Sequence, residues 1–573
     1  MTPSKAPSRR TSARSAQWVA AGIFLSRLSG LVREALFARF LGTSYSADAL
    51  RAALRMPNVL QNLLGEGTLS ASFIPVYAEL LEQGREEEAG RVAGAVFALL
   101  LALAGGLALL GIVAAPVLVS ILAPGFVGTP RFALTVTLVR IIFPMAGLFV
   151  LAAWSLGILN SHRRFFIPYV APVLWNGAMI AAMLVFGFRY ATPARQPSLA
   201  IVVGWAALLG GSLQFLVQLP WVLRLERSLH VRWDTKLRGV RTTVRNALPA
   251  IAGRGVVQIA GWVDLILASL LAVGSVATLS YAQTLYMLPV SLFGMSVAAA
   301  ELPELARERS QDRERLRLRV NAGLQRMAFF VVPTVLGYLA LGDLIVAGLY
   351  QRGAFGRADT LVVWLVLLGF TLGLFASTGT RLFSSAFFAL HDTKTPAKTA
   401  TIRVATAAVV GVGLMVQLEP VHTPAMSIGA LHVSSLSFGP YGFGIWRTPG
   451  VAGQPLGVLG LTLAAGMAAW LEWWLLRARL SRHLGPVAPP GRPVGRMILA
   501  AIVAAVAGRG VVELLPAMRE LAFAGLGIAN IVRMAAGVGV FGVVYLWLGH
   551  MLGLDEADHV LRRLLGRPNG RRA

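Results

Sequence analysis

Residues 92–122 read VAGAVFALLLALAGGLALLGIVAAPVLVSIL, without one charged side chain. A hydrocarbon core about 30 Å thick is crossed by about 20 apolar residues in a helix rising 1.5 Å per residue. This stretch therefore predicts a membrane-spanning helix with residues to spare. Similar runs recur from end to end. Of 573 residues, 56% are apolar, 14% are charged and none is Cys, and the mean hydropathy is +0.68. That balance excludes an ordinary soluble enzyme and a disordered chain. The lack of Cys excludes disulfides, thiolate-held metal and thiol catalysis.

Working outward from that run, the pattern predicts an all-α polytopic membrane protein with about fourteen transmembrane helices. They fall at 17–41, 48–80, 92–122, 132–160, 166–188, 198–223, 243–272, 275–303, 321–350, 358–390, 397–417, 453–476, 494–515 and 523–552. Pro and Gly punctuate the links, as in Ala123-Pro124-Gly125. A basic tail, 1–16, precedes the first span with no small-residue cleavage site after it, and a second tail, 553–573, follows the last. Lys and Arg crowd alternate links in a ratio near four to one, which places both termini in the cytoplasm under the positive-inside rule. The net charge of +26 is then topogenic and does not signal nucleic acid. One link, 418–452, is long, rich in Gly, Pro and Ser, and weakly charged; it reads as an outward-facing insertion, a loop or a small cap.

The chain also resembles itself. Gly42 precedes Pro57 by the same interval as Gly274 precedes Pro289; Ile74-Pro75 is echoed by Leu302-Pro303, and Pro168 by Pro396. The shared offset predicts a six-span repeat. Six is even, so both copies enter the membrane in the same sense, related by a pseudo-two-fold axis along the membrane normal. The expected organisation is an N-lobe at 17–223, a cytoplasmic linker at 224–242, a C-lobe at 243–476, and two further helices within 477–552. Two such lobes are transporter architecture with alternating access.

The charges that interrupt the first two spans carry the functional reading. Span 1 holds Arg27, Arg33, Glu34 and Arg39; span 2 holds Asp48, Arg51, Arg55, Asn58, Gln61, Asn62 and Glu66. At 100° per residue Arg51, Arg55, Asn58, Asn62 and Glu66 fall on one helical face. A mid-bilayer charge costs at least about 2.5–3.5 kcal/mol, so this face must look onto a watery cavity or onto other charges. One reading is interhelical pairing, Arg33 with Glu66 or Arg27 with Glu34, with Arg39 and Asp48 cancelling at the outer interface. The other is a cationic cavity for an anionic head group. Five Arg against three acids favour the second, and Arg pairs bidentately with phosphate. Asp264 in span 7 is a candidate for ion coupling or for pairing with Arg254. Arg254 and Arg381 are candidate supporting charges.

No nucleophile elbow, zinc-protease motif or phosphate-binding loop is present. No acidic cluster suits a metal-dependent transferase, and no metal or cofactor is expected beyond coupling to membrane potential or a monovalent cation. A drug exporter would carry fewer cavity arginines and more acids.

The stretch Ser26-Arg27-Leu28-Ser29-Gly30-Leu31-Val32-Arg33-Glu34, with Ala47-Asp48-Ala49, Met56-Pro57-Asn58, Gly65-Glu66-Gly67 and Ser72-Phe73-Ile74-Pro75-Val76-Tyr77, resembles the N-terminal signature of the MurJ (MviN) family. These are lipid II flippases of the multidrug/oligosaccharidyl-lipid/polysaccharide exporter superfamily. Phe388 to Pro396 resembles the family's link between helices 10 and 11. The resemblance implies fourteen helices, a bacterial inner-membrane location, and movement of an undecaprenyl-diphosphate-linked peptidoglycan precursor, lipid II or a similar polyprenyl-diphosphate glycolipid, from the inner to the outer leaflet. It implies a monomer working beside cell-wall synthesis proteins. Arg27 and Arg33 match the family's cavity arginines, Asp48 and Glu66 its acidic positions, and helices 13 and 14 its groove for the lipid tail. Two family arginines fall at Gln61 or Asn62 and at Thr284 here, while Ala407 and Gly411 replace sodium ligands that some members carry. The departures leave a different polyprenyl-linked oligosaccharide, or a cation-coupled drug exporter of the same superfamily, as alternatives.

Overall fold

The computed structural model describes residues 9–190, 192–295, 313–419, four short strands between 421 and 438, and 456–489, 491–514 and 527–564. In chain order the helices are α1 (Arg9–Leu41), α2 (Tyr45–Leu64), α3 (Glu66–Glu82), α4 (Glu86–Val113), α5 (Ala115–Leu122), α6 (Pro130–Ser161), α7 (Phe166–Phe186), α8 (Gln196–Leu216), α9 (Leu219–Leu225) and α10 (Arg238–Ser269). They continue with α11 (Ser275–Pro289), α12 (Arg313–Tyr350), α13 (Arg357–Leu372), α14 (Leu374–Ala389), α15 (Lys394–Leu418), α16 (Gly457–Leu484), α17 (Gly491–Glu513), α18 (Ile528–Met551) and α19 (Asp555–Leu564). Among the described residues the secondary structure is helical apart from β1 (Val421–Thr423), which pairs antiparallel with β4 (Leu436–Phe438), and β2 (Met426–Ile428), which pairs antiparallel with β3 (Leu431–Val433). These strands fall in the expected insertion, whose remainder lies outside the described residues, as do the tail 1–8 and the end of the eighth predicted span.

Every one of the fourteen predicted spans contains helix. Among the described residues, however, nine helices are long and apolar enough to cross a membrane, or ten when α13 and α14, bent by 41°, count as one. The four spans that fall short are α1, α2 with α3, α10 and α11. Charges interrupt α1, Gly65 separates α2 from α3, charges and polar residues fill the first half of α10, and α11 ends at Pro289 in a π turn. α11 is too short; in α1, α2 and α10 the polar content that keeps them from counting as apolar spans is the same content that suits a helix to a hydrated face.

The chain divides into two compact units, one holding α1–α10 and the other α11–α19. In the first, Trp154 of α6 is fully buried among Phe73, Tyr77, Val92 and Val96, and its Nε1 donates to Ala93 O at 3.2 Å. In the second, Trp473 of α16 packs with Phe383 and Leu476, and Phe541 and Tyr545 of α18 pack on α12 and α17. Large apolar side chains left outside these cores, such as Leu109, Val113, Val409 and Val506, make the lipid-facing surface. Association then depends on close backbone packing: Gly373 and Gly466 lie back to back, with room for no Cβ on either.

The repeat has a backbone signature. Among the described residues, the two non-glycine residues with positive φ are Arg163 (59°) and His391 (60°), at the same 228-residue offset as Pro168 and Pro396. The flanking bonds repeat as well. Arg164 N donates to Leu159 O and Arg163 N to Asn160 O; Asp392 N donates to Phe387 O and His391 N to Phe388 O. Both α6 and α14 thus end in the same left-handed cap, which satisfies orphan carbonyls, five residues before the repeated proline.

A cationic cluster as candidate functional site

Helix α1 delivers Arg33 and Glu34 in sequence, and α2 starts after a tight turn at Gly42, where φ is 56°. The Ser44 hydroxyl accepts from Ala47 N at 3.3 Å and caps α2. This turn folds α2 back so that Arg51 reaches Glu34. Arg33 Nη2 donates to Glu34 Oε1 at 2.6 Å, and Arg51 Nη2 donates to Glu34 Oε2. Glu34 is 2% exposed. A buried carboxylate of that kind is tolerable only when both oxygens are satisfied, and here each takes one guanidinium. Two cations on one anion leave a surplus positive charge.

The arginines are held from other directions too. Arg33 Nη1 donates to Asn176 Oδ1 of α7 at 2.9 Å; Asn176 Nδ2 donates in turn to Ser29 Oγ at 2.9 Å and Ser26 O at 3.2 Å. The Arg33 guanidinium lies 4.7 Å from the Trp175 ring centroid, and that of Arg51 lies 4.7 Å from Phe37, which adds cation–π attraction without consuming N–H donors. One turn beyond Arg51, Arg55 Nη2 stands 3.9 Å from Asp264 Oδ2 of α10. Beyond that the polar residues open outward. Asn58 and Asn62 are exposed and Gln61 is half-buried; Gln61, Asn62 and Glu66 line a cavity of about 590 Å³ with Ser70.

Several expectations need correction. Glu34 pairs with Arg33 and Arg51, not with Arg27, which is exposed and makes no ion pair among the described residues. Glu66 does not pair with Arg33: the chain breaks at Gly65, so Glu66 opens α3 and the polar face of α2 ends at Asn62. Asp48 is buried against Arg131 Nη1 of α6 at 3.6 Å, while Arg39 stacks on Phe40 and Phe188. The Arg254 side chain lies outside the described residues, and Asp264 has Arg55 beside it instead. Arg381 is exposed on α14, in the second unit. The Thr284 hydroxyl, at the position where the family resemblance has an arginine, bonds back to Ser280 O at 2.9 Å.

Sequence reasoning missed Asn176, Trp175 and the role of Arg131. A lone Asn inside an apolar run was the available signal for the first, since a polar amide in hydrocarbon needs a partner.

A multi-span helical bundle built on a six-span repeat, with an arginine cluster inside its first unit, defines a membrane transporter of the multidrug and lipid-exporter type. Over 80% of this chain and 95% of its own, an inward-facing multidrug transporter of the MATE family superposes with a TM-score of 0.58 at 17% identity. A lipid II flippase MurJ in an inward closed conformation covers 96% of this chain and 99% of its own, with a TM-score of 0.68 at 22% identity. The family profile described as lipid II flippase MurJ matches residues 37–439. The probable lipid II flippase MurJ of Rhizobium tropici is 33% identical over 386 residues, 66% of this chain and 71% of the relative. That of Bdellovibrio bacteriovorus is 28% identical over 573 residues, 97% of each chain. The chain belongs to the lipid II flippase MurJ family.

Proposed function

We propose that this protein carries lipid II across the bacterial inner membrane, from the inner to the outer leaflet, by alternating access. The observation that carries the reading is the shared carboxylate: Glu34 fixes Arg33 and Arg51 side by side while balancing only one of them. A diphosphate presents several oxygens to such a pair and accepts bidentate bonds from guanidinium groups. Arg27 and Arg55 extend the positive field along α1 and α2, and Asn58, Gln61 and Asn62 offer neutral bonds to a glycan or peptide. The second unit, taken by itself, carries an apolar groove of about 380 Å³ between α12 and α18, lined by Phe329, Pro333, Gly337, Val538 and Phe541.

The charge pattern of the links supports cytoplasmic termini. A net-positive cluster in the field of an inward-negative membrane favours the inward-open form, so membrane potential is the proposed source of reset. Asp264, already beside Arg55, is the group through which a monovalent cation would compete.

The test is replacement of the resident lipid II flippase in a depletion strain, following lipid II at the outer leaflet by its accessibility to an externally added enzyme. Restored exposure that disappears in Arg33→Ala, Arg51→Ala is the expected result. Restored exposure in that double variant, at equal membrane abundance, would overturn the assignment of the cluster. Failure of the unaltered protein to restore exposure would overturn the cargo.

A further inference from the structure

The link between α9 and α10 has a fixed back and an exposed front. Its first residue, Glu226, is buried, and Tyr77 of α3 donates to its Oε2 at 2.6 Å. His162, just past the end of α6, lies 3.0 Å from the same Tyr77 hydroxyl. The chain then runs along α4 in direct contact: a Cβ on Gly90 would lie 2.2 Å from Ser228 Oγ, and one on Gly94 2.0 Å from His230 O. Leu229 and Leu237 tuck against the core that holds Phe73, Val92 and Trp154, and Asp234 Oδ1 accepts from Lys236 N at 2.8 Å. All of these residues belong to the first unit.

The front is of another character. Val231 and Trp233 are 58% and 60% exposed, and Arg227, Arg232 and Lys236 are exposed in the same stretch. The nearby acids leave this charge standing. Glu226 is turned inward, Asp234 is occupied by Lys236 N, and Glu87 and Glu88 of α4 pair with Arg91 and Arg85, which leaves Glu86. Setting a topology takes charge alone; it gives no reason to hold a valine and an indole out of the core on a braced backbone. The level of the segment supplies the reason. Pro193–Leu225 is a candidate span of 33 residues, against about 20 needed for the hydrocarbon core. Its end therefore lies in the head-group layer, where Trp and basic residues collect. There Arg224 stands 5.6 Å from the Trp221 ring centroid, next to exposed Leu223. The link starts one residue after this span.

We propose that residues 227–236 form a docking face for the anionic head groups of the leaflet they abut. Arg227, Arg232 and Lys236 meet lipid phosphates, while Val231 and Trp233 enter the boundary between head groups and acyl chains. Each basic residue near an anionic surface contributes about fivefold in binding. The Glu226–Tyr77 bond and the contact with α4 keep the front turned outward, so lipid meets a surface already in place. The face fixes the height of the first unit in its leaflet. This reading assumes neither the cargo nor the direction of transport, and its test needs neither.

The chain has no Cys, so Val231→Cys in the full-length protein accepts a single fluorophore at this face. In lipid nanodiscs, its quenching by nitroxide-labelled phosphatidylglycerol is compared with that by nitroxide-labelled phosphatidylcholine. Phosphatidylglycerol should be preferred about fivefold, as for one basic residue on one head group. The preference should fall toward unity in Arg227→Gln, Arg232→Gln, Lys236→Gln and at high salt, and return in Arg227→Lys, Arg232→Lys, which also controls for folding. Trp233→Ser should weaken quenching by both lipids. A label at Val506→Cys, exposed on α17, should show no preference. Equal quenching by the two lipids, or a preference that the Gln set leaves unmoved, overturns the proposal. A label that neither lipid quenches overturns it as well, and assigns the face to water or, when the emission is blue-shifted, to a protein contact.

Discussion

Arg55 of α2 and Asp264 of α10 face each other at 3.9 Å, with side-chain exposures of 24% and 41%. The gap is at the outer limit of an ion pair and both groups reach water, so the attraction is weak, below about 1 kcal/mol by analogy with exposed pairs. Arg55 is thus available to a stronger anion. In a double-mutant cycle of Arg55→Gln and Asp264→Asn, the coupling for stability should stay below about 1 kcal/mol. Arg55→Gln alone should reduce lipid II exposure about tenfold, whereas Asp264→Asn should leave it near the unaltered level or raise it. A large stability coupling would mean that the pair is structural.

Glu34 is the opposite case. Its removal leaves Arg33 and Arg51 buried side by side with no anion between them. Breaking a buried ionic group by deleting one member costs about 3–5 kcal/mol. Glu34→Ala should therefore lower the thermal midpoint in detergent and the folded yield, and a diphosphate-bearing lipid should restore part of the loss by taking the carboxylate's place. A Glu34→Ala protein as stable as the parent would show that the two arginines separate freely.

Asn176→Leu tests the second support of Arg33. It deletes the acceptor at 2.9 Å and frees Ser29 while keeping volume. A loss of about 1–3 kcal/mol is expected, with transport falling in step with stability. The check is a denaturation series alongside the depletion assay.

Gly65 sets the break between α2 and α3. A Cβ there would lie 2.1 Å from Gln61 O, so Gly65→Ala must move the backbone that carries Gln61 and Asn62. Overpacking of this kind costs about 1–3 kcal/mol. The folded fraction should remain measurable while transport falls further than stability does. Equal losses would assign Gly65 to packing alone.

A pH effect is expected at the link between α14 and α15. Thr395 donates to the Asp392 carboxylate, its amide at 2.9 Å, and these bonds hold the Asp392 carboxyl below its ordinary value of 3.8. The unfolded chain therefore binds the extra proton. The contribution is complete above that ordinary value and is lost as pH falls through the lowered one. Asp392→Asn should flatten the acid limb of the melting curve and speed amide exchange at Thr395.

Nine or ten of the fourteen predicted spans were legible because hydrophobic length is a strong signal, and the repeat because prolines keep their spacing. The partners of the charges were not. A helical wheel puts Glu66 on the Arg51 face only if α2 continues, and nothing in Gly65-Glu66-Gly67 announces where the break falls. Arg131 reads as a loop charge beside Pro130, yet it is 7% exposed and turned to Asp48. Adjacent residues such as Arg33 and Glu34 point to different sides of an ideal helix, so their joint meeting with Arg51 depends on where the Gly42 turn places α2. Pairing of this sort is decided by tertiary geometry, which periodicity does not encode.

The bend between α13 and α14 carries one more implication. Interrupting a helix at Gly373 strips carbonyls of their usual donors, and Trp470 Nε1 of α16 supplies one to Leu372 O at 2.8 Å, beside the contact of Gly373 with Gly466. The indole acts as a splint across the joint. The joint therefore cannot straighten without letting go of its neighbour, and whatever rotation the second unit undergoes, α13, α14 and α16 must make it as one piece, like a bent lever pinned at its elbow.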